Sequence, residues 1–260
     1  ATKPKPLDRI RVLDPACGTG ALLLAFLRLA STERPHIHAP ELRSQLKRVT
    51  GIDISATAIH AASFAIAIGL VAQHRLSGNQ ALAIWEHARS ALHVGNGLRL
   101  ARAASRGPSL LDDRHGDETL CIRLGFDLVL CNPPYSRVSG TIDPHGVTGD
   151  YSAVRESTGG PSGAAALFLE LGARVIKPAG GVLSYVVPLS VGSSRVGIEA
   201  AWRKQALRTS GDLCFQFFDR APDALFTDHV KTRNAVILQR TSSSHDRLRL
   251  RSTSLLRWTS

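Results

Sequence analysis

Short apolar runs rich in β-branched residues alternate along the chain with longer runs of helix-forming residues. The short runs predict strands over 9–14, 48–53, 91–94, 126–131, 182–187, 213–218 and 234–239. The longer runs predict helices over 21–30, 56–71, 81–89, 164–176 and 197–207. Strands that alternate with helices indicate an α/β fold with a doubly wound, mainly parallel sheet covered on both faces.

The segments between these elements suggest how the chain is organised. A polar insertion at 31–47 separates the first helix from the second strand, and 103–118 has the composition of a surface loop. Residues 136–163 contain six glycines and no sustained periodicity. A loop of that length is uncommon unless it is functional or mobile. We expect a catalytic domain over 1–240, followed at 241–260 by a basic tail or the start of a target-recognition region.

The charge balance favours a polyanionic partner. Lys and Arg number 32 against 21 Asp and Glu, which gives a net charge of +11. Nucleic acid is the first candidate for such a partner. The alternative is a basic soluble enzyme whose charge only keeps it in solution.

Cysteine usage and hydropathy argue against a disulfide-bonded, a metal-binding, a membrane-spanning or a secreted protein. The four cysteines (Cys17, Cys121, Cys131 and Cys214) form no C-x-x-C pair, so we expect reduced thiols, no disulfide framework and no metal site. The apolar segment 56–72 contains His60 and Ser63, and we interpret it as a buried helix rather than a membrane span. No signal peptide is recognisable, so we expect a cytoplasmic protein. The absence of Met indicates a processed or excised segment.

A glycine-containing loop follows the first predicted strand. It consists of Asp14, Pro15, Ala16, Cys17, Gly18, Thr19 and Gly20. Glycines at this place let the backbone approach a ligand closely, although Leu23 replaces the third glycine of the dinucleotide fingerprint. An acid beside the glycines opposes a phosphate and suits a ligand with a positive charge, such as an ammonium or a sulfonium. The alternative is a tight turn without a ligand.

Two further segments complete a predicted nucleoside site. Asp53 ends the second strand, where doubly wound folds place the carboxylate that binds ribose hydroxyls. The alternative is a cap for the following helix. Ile54 adjoins Asp53, and we include it in the site. Asn96 and Gly97 follow the third strand and are candidates for contact with an adenine ring, with a plain turn as the alternative.

The tetrapeptide Asn132, Pro133, Pro134 and Tyr135 directly follows a buried apolar strand. Its prolines fix φ and remove backbone donors, so the segment presents acceptors from a rigid, extended backbone. The side-chain carbonyl of Asn132 and the backbone carbonyl of Pro133 suit a planar NH₂ group with two hydrogens. Tyr135 offers a flat face for stacking. The alternative is that Pro-Pro only ends a strand and turns the chain.

Taken together, these motifs resemble the S-adenosylmethionine-dependent N6-adenine DNA methyltransferases, in the subgroup whose cofactor loop precedes the catalytic tetrapeptide. Residues 14–20 match that family's Asp-Pro-x-Cys-Gly-Thr-Gly loop, Asp53 its ribose acid and 132–135 its Asn-Pro-Pro-Tyr. The likeness continues through 177–183 and 186–188 to Leu225 and Phe226. It therefore covers about residues 9–240.

The resemblance implies a Rossmann-like class I methyltransferase fold that ends in an antiparallel hairpin. It implies an adenine-specific DNA methyltransferase of a restriction–modification or related defence system, with S-adenosyl-L-methionine as cofactor and double-stranded DNA as partner. The target adenine would be flipped out and stacked between Tyr135 and Phe226. The implied cofactor residues are Asp14, Pro15, Ala16, Cys17, Gly18, Thr19, Gly20, Asp53, Ile54, Asn96 and Gly97.

Three departures from the family pattern matter. Asn96 stands where many relatives have Asp. Only eight residues precede the first strand, and no substantial target-recognition region follows residue 240, so we expect N-terminal and target-recognition segments of a parent protein to be missing. The alternatives to a DNA methyltransferase are an RNA guanine-N2 methyltransferase, a protein-glutamine methyltransferase and a degenerate nucleic-acid-binding module.

Overall fold

The computed structural model describes residues 5–32, 38–101, 125–137, 147–158, 163–219, 232–242 and 247–257. The chain divides into two units. The first comprises Ala1–Gly97 and Phe126–Cys131, and the second comprises Leu98–Gly125 and Asn132–Ser260.

A four-stranded parallel sheet forms the centre of the first unit. Its strands are β1 (Val12–Asp14), β2 (Val49–Asp53), β3 (Leu92–Val94) and β4 (Leu128–Cys131), in the spatial order β3-β2-β1-β4. Its helices are α1 (Ala21–Thr32), α2 (Ala39–Leu46), α3 (Ala56–His74) and α4 (Gly78–Ser90), and a 3₁₀ turn spans Leu7–Arg9. Parallel strands joined by helices are the arrangement predicted from the alternating pattern.

Helix α3 contributes to the core of the first unit. The Ser55 side chain caps it by accepting the Ala58 N–H at 3.2 Å, as the sequence predicts. By length and composition α3 would suffice to cross a membrane. One face nevertheless packs in the core, where Ile59, Ile66 and Leu70 are buried. The opposite face is exposed, with Phe64 at 54% and Ile68 at 63%, so α3 is half-buried rather than the fully buried helix that the sequence predicts.

The second unit is organised around four strands in the order β5-β7-β6-β8. These are β5 (Val182–Pro188), β6 (Gly211–Phe218), β7 (Asn234–Thr241) and β8 (Arg249–Leu256). Strand β7 is antiparallel to both β5 and β6, whereas β8 is parallel to β6. The helices are α5 (Ser152–Arg155), α6 (Ala165–Val175), α7 (Ser190–Ser193) and α8 (Gly197–Ala206), with a 3₁₀ turn at Val147–Asp150. A further 3₁₀ turn, Gly97–Arg99, begins in the first unit and ends in the second. The β6–β7 pair is the predicted antiparallel hairpin.

The structure differs from the sequence-based prediction in three segments. Helix α2 lies within the predicted polar insertion, because Leu42 and Leu46 are buried on one face and Glu41 closes a capping box with His38. The predicted loop 136–163 contains α5. Strand β8 lies in the predicted tail, where the pairing with β6 is made by the backbone and leaves no apolar periodicity. Phe226, the loop 103–118 and Cys121 lie outside the described residues.

Candidate functional site

The predicted cofactor residues of the first unit lie at the carboxyl ends of its parallel strands. Strand β1 ends at Asp14, β2 at Asp53 and β4 at Cys131, while Asn96 and Gly97 follow β3. In doubly wound folds ligands bind at this edge of the sheet. The structure thus brings together the loop, the acid and the β3 turn that the sequence names separately.

The loop after β1 is held by one hydrogen bond to the end of β2 and by one within the loop. The Cys17 N–H donates to the Ile52 carbonyl at 2.9 Å, and the Gly20 N–H donates to the Cys17 carbonyl at 2.8 Å. Gly18 and Gly20 have φ of +52° and +79°. These values lie in the left-handed region, which glycine adopts without the steric cost that a side chain adds. The glycines are therefore required by the turn itself, whether or not a ligand binds.

Asp53 fixes the loop and begins α3 at the same time. Its Oδ2 accepts the Gly18 N–H at 2.9 Å, and its Oδ1 accepts the Ser55 N–H at 2.9 Å. A carboxylate has about four acceptor positions, so this half-exposed group keeps capacity for two further donors. The cap interaction considered from the sequence is present, and binding of ribose hydroxyls by the same group stays a prediction.

Asp14 lies beneath the loop rather than on its open side. Its side chain is 1% exposed, and its Oδ1 accepts the Ala16 N–H at 3.1 Å. Burial raises the pKa of Asp14 to about 7, hydrogen bonds from Ala16 and Cys131 oppose that rise, and the charge of Asp53 adds to it. The predicted partner of a cationic ligand is therefore covered by protein, and its role toward such a ligand stays a prediction.

The two cysteines beside Asp14 are structural. Cys17 and Cys131 are buried, and the Cys131 thiol hydrogen-bonds to the Asp14 carboxyl group. Burial, together with the nearby Asp14 charge, raises the pKa of both thiols. A thiol that stays protonated is a poor nucleophile. A packing role for Cys131, as inferred from the sequence, agrees with this burial.

Gly97 has a packing role that the sequence did not reveal. A Cβ atom built on Gly97 would lie 2.1 Å from the carbonyl oxygen of Pro15. Glycine is therefore needed for the β3 turn to approach the loop. Asn96 beside it is half-buried. Contact of these two residues with an adenine ring stays a prediction, and no local signal distinguishes it from packing.

The tetrapeptide after β4 exposes Asn132, which carries its side-chain amide. Asn132 and Pro134 are exposed, Pro133 is buried, and the segment has no regular secondary structure. Within the described residues the Asn132 side chain makes no hydrogen bond. The half-buried Tyr135 donates its hydroxyl to the Val186 carbonyl at 3.5 Å. A buried proline thus anchors an extended segment whose amide is free to bind another molecule.

Comparison of the sequence with models of protein families found no match, and neither did comparison with curated proteins. Solved structures do share the fold. A protein described as a class I S-adenosylmethionine-dependent methyltransferase from Listeria monocytogenes aligns with a TM-score of 0.57 at 18% identity, over 94% of this chain and 58% of its own. The M protein of the type I restriction enzyme EcoKI (EC 2.1.1.72) aligns with a TM-score of 0.56 at 17% identity, over 92% of this chain and 40% of its own.

A third structure, the complex of DrdV with DNA, aligns with a TM-score of 0.65 at 13% identity, over 98% of this chain and 26% of the other. The chain thus spans less than two thirds of each of these proteins. At such identities the likeness shows the fold alone. The fold is that of the class I methyltransferases, which confirms the fold class predicted from the sequence.

Proposed function

We propose that this chain is the catalytic part of a DNA methyltransferase that transfers a methyl group from S-adenosyl-L-methionine to the N6 amine of adenine. The supporting observation is the Asn132 side chain, which is exposed, makes no hydrogen bond within the described residues and follows directly after Cys131. Cys131 in turn hydrogen-bonds to Asp14 at the base of the glycine loop. Asn132 is therefore the next residue in sequence after one that contacts the buried Asp14.

The residues around the loop fit the cofactor. A Cβ on Gly18 would meet nothing within 4 Å, so the loop backbone is open to a ligand at that point. Asp53 keeps free acceptor positions, as a ribose diol requires. When bound there, S-adenosylmethionine supplies an electrophilic methyl group on a sulfonium. The structural neighbour from Listeria is described as dependent on the same cofactor, which supports this assignment.

Asn132 and Pro133 carry the chemistry in this proposal. The lone pair of an exocyclic adenine amine is conjugated into the ring, so the amine is a poor nucleophile. The Asn132 Oδ1 and the Pro133 carbonyl would each accept one N–H of the amine, which localises the lone pair on nitrogen. Catalysis then consists mainly of positioning and electrostatic stabilisation, with no covalent intermediate on the protein. Proline at 133 and 134 limits backbone movement of both acceptors.

Access to the amine requires the adenine to leave the duplex. A base inside B-DNA cannot reach the tetrapeptide, so we propose that it is flipped out and that Tyr135 stacks on it. The hydrogen bond from Tyr135 to Val186 holds the ring in place for that role. Stacking by Phe226 is part of the same proposal and stays a sequence-based prediction.

DNA as substrate is supported by two kinds of observation. The chain carries a net charge of +11, and the DrdV neighbour is a complex with DNA. The EcoKI neighbour is the M protein of a restriction enzyme, which supports a place in a restriction–modification or related system. RNA guanine and protein glutamine are the competing substrates, and the experiment below includes both.

The test is single-turnover methyl transfer with radiolabelled S-adenosylmethionine on adenine-containing DNA, RNA and a glutamine peptide. We expect label in DNA adenine alone. Asn132→Ala should abolish most of the transfer while leaving cofactor affinity nearly unchanged, because its hydrogen bond matters chiefly in the transition state. Asn79→Ala, on the exposed face of α4, serves as a matched control and should react like the parent.

Three results would refute the proposal. Label in RNA or peptide without label in DNA would assign the chain to one of the competing classes. A near-parental rate for Asn132→Ala would remove the residue on which the proposal rests. Absence of any transfer, with cofactor binding intact, would favour the degenerate nucleic-acid-binding module.

A further inference from the structure

A concave pocket of about 480 Å³ lies in the second unit, between the turn after α8 and the beginning of β8. Its lining combines guanidinium groups, hydroxyls and leucine side chains. The lining residues are Leu207, Arg208, Thr209, Ser210, Arg247, Leu248 and Leu250. None of them belongs to the site described above.

Among the described residues that line the pocket, the two charged ones are both arginines. Arg208 and Arg247 both line it and are both exposed, and neither forms an ion pair within the described residues. The adjacent acid, Asp212, is already occupied. Arg249 binds it through two contacts, Nε to Oδ1 at 2.7 Å and Nη2 to Oδ2 at 3.0 Å. Two planar guanidinium groups are therefore available to an anion, and phosphate is one of the two groups, with carboxylate, whose geometry such forks match.

The uncharged part of the lining is also suited to a phosphorylated ligand. The Thr209 hydroxyl donates to the Ala206 carbonyl at 2.7 Å and accepts from Gln239 at 3.1 Å, so it fixes the turn. The Ser210 hydroxyl has no partner within the described residues and is free to donate. Leu250 is 55% exposed and gives the pocket an apolar wall, on which a sugar can rest.

Strand β8 extends the positive surface along the edge of the sheet. Arg249 and Arg251 are exposed and two residues apart, so they lie on one face of the strand. An alternative role for Arg249 and Arg251 is protection of the edge strand against edge-to-edge aggregation. It does not explain Arg208, which lies on the turn after α8, or the pocket that Arg208 forms with Arg247.

The pocket is separate from the place where Tyr135 acts. Strands β5 and β6 are both antiparallel to β7, so their starting residues lie at the same end of the sheet. The pocket lies before the start of β6, whereas Tyr135 contacts Val186 near the other end of β5. The register places these points about five residues apart along the strands, or roughly 16 Å.

We propose that the pocket formed by Arg208, Ser210 and Arg247 binds a phosphodiester group of the nucleic-acid backbone, away from the base that reacts. The choice of nucleic acid rests on the proposed function and on the chain's positive charge. The free guanidinium groups and the hydroxyl support an anion site independently of it. Such a contact would position the duplex and would not depend on sequence.

The test is the salt dependence of duplex binding, measured by fluorescence anisotropy without cofactor on the whole chain. Each phosphate contact contributes about 0.9 to the slope of log K against log salt. Because both arginines are proposed to hold one phosphodiester group, the double variant Arg208→Ala/Arg247→Ala should lower the slope by about 0.9. The double variant Arg208→Lys/Arg247→Lys keeps both charges and should have a slope close to that of the parent. Arg28→Ala/Arg195→Ala, which removes two exposed arginines outside the pocket, should leave it nearly unchanged. Melting curves confirm that each variant is folded.

Equal slopes for the pocket variant and the Arg28/Arg195 control would overturn the proposal. So would loss of binding to adenosine monophosphate or inorganic phosphate with an unchanged duplex slope, because the ligand would then be a free phosphate compound. Measuring methyl transfer by the parent chain beside the duplex slope separates this proposal from the proposed function. If the parent chain transfers no methyl group but the pocket variant still lowers the slope, the proposed methyltransferase function is refuted. The phosphodiester site would then remain supported.

Discussion

Two buried carboxyl groups, Asp14 in the first unit and Glu170 in the second, have opposite environments. Glu170 accepts the Ser152 N–H at 2.9 Å, the Ser152 hydroxyl at 2.7 Å and the Ala153 N–H at 2.9 Å, and it pairs with Arg174. Burial acts to raise the pKa of Glu170, but these donors outweigh it and the pKa is lowered. Asp14 accepts bonds from Ala16 and the weak donor Cys131, and its pKa is raised to about 7 by burial.

The difference separates a structural acid from an acid of the candidate site. Glu170 holds the beginning of α5 with a full set of donors, so its charge is compensated within the protein. The charge of Asp14 is not compensated within the protein, and a cationic ligand would provide that compensation. Under-compensated buried acids concentrate at functional sites, because the fold alone has no reason to keep them. The predictions below test this contrast.

The largest expected effect is on folding, at Glu170. Glu170→Ala removes the acceptor of Arg174 and of two backbone N–H groups, and it should lower the free energy of unfolding by about 3–5 kcal/mol. Asp14→Asn keeps an acceptor for Ala16 and removes an uncompensated charge, so its free energy of unfolding at pH 8 should equal or exceed that of the parent. Urea denaturation measures both. If Asp14→Asn lowered the free energy of unfolding as much as Glu170→Ala, the proposed difference between the two acids would be wrong.

The two acids should also give opposite pH dependences. The folded-state pKa of Asp14, about 7, lies above its ordinary value of 3.8, so its contribution is full below pH 4 and is lost between about pH 4 and 7. This difference corresponds to about 4 kcal/mol. The pKa of Glu170 is lowered, so its contribution is present above the ordinary value of 4.5 and is lost as the pH falls through the folded pKa.

The measurement is the free energy of unfolding against pH for the parent, Asp14→Asn and Glu170→Gln. The difference between parent and Asp14→Asn should change between pH 4 and 7 and be flat above. The difference between parent and Glu170→Gln should change only at lower pH. Identical profiles for the two variants would contradict the assignment of either acid.

A smaller effect is expected at Asp53, in cofactor affinity. Asp53→Ala removes a charged acceptor for ribose hydroxyls and should weaken S-adenosylmethionine binding by about 1.5–3 kcal/mol. Because Asp53 also anchors Gly18, calorimetry needs a melting curve of the same variant beside it. Glu86→Ala on α4 is the control for loss of one exposed acid. Unchanged affinity at Asp53→Ala would remove it from the cofactor site.

The smallest effect is expected at Cys131. Its thiol is a weak donor to Asp14. Loss of that hydrogen bond in Cys131→Ala should lower the free energy of unfolding by less than about 1 kcal/mol. Loss of the bond should move the Asp14 transition to higher pH, because the thiol lowers the pKa of Asp14. Cys131→Ser keeps a donor and should keep the transition near its parental position. NMR titration of the Asp14 carboxyl checks both, and no movement in Cys131→Ala would exclude the bond.

Local patterns were enough to predict the features that adjacent residues specify. The glycine loop, Asp53 after β2 and the tetrapeptide after β4 are each set by a strand end and its neighbouring residues, and each lies where the sequence predicts it. The same holds for the Ser55 cap of α3. A strand, a cap or a turn is determined over a few residues, so a single sequence contains the signal.

Other features depend on residues far apart in the chain, and only the tertiary structure decided them. The polar strand β8 exists because β6 offers it a backbone partner, and Gly97 is needed because Pro15 lies against it. The raised pKa of Asp14 and the lowered pKa of Glu170 depend on which donors folding brings to each carboxyl group. A sequence records that two acids are present, whereas desolvation and hydrogen bonding, which set their charge, arise only when the chain is folded.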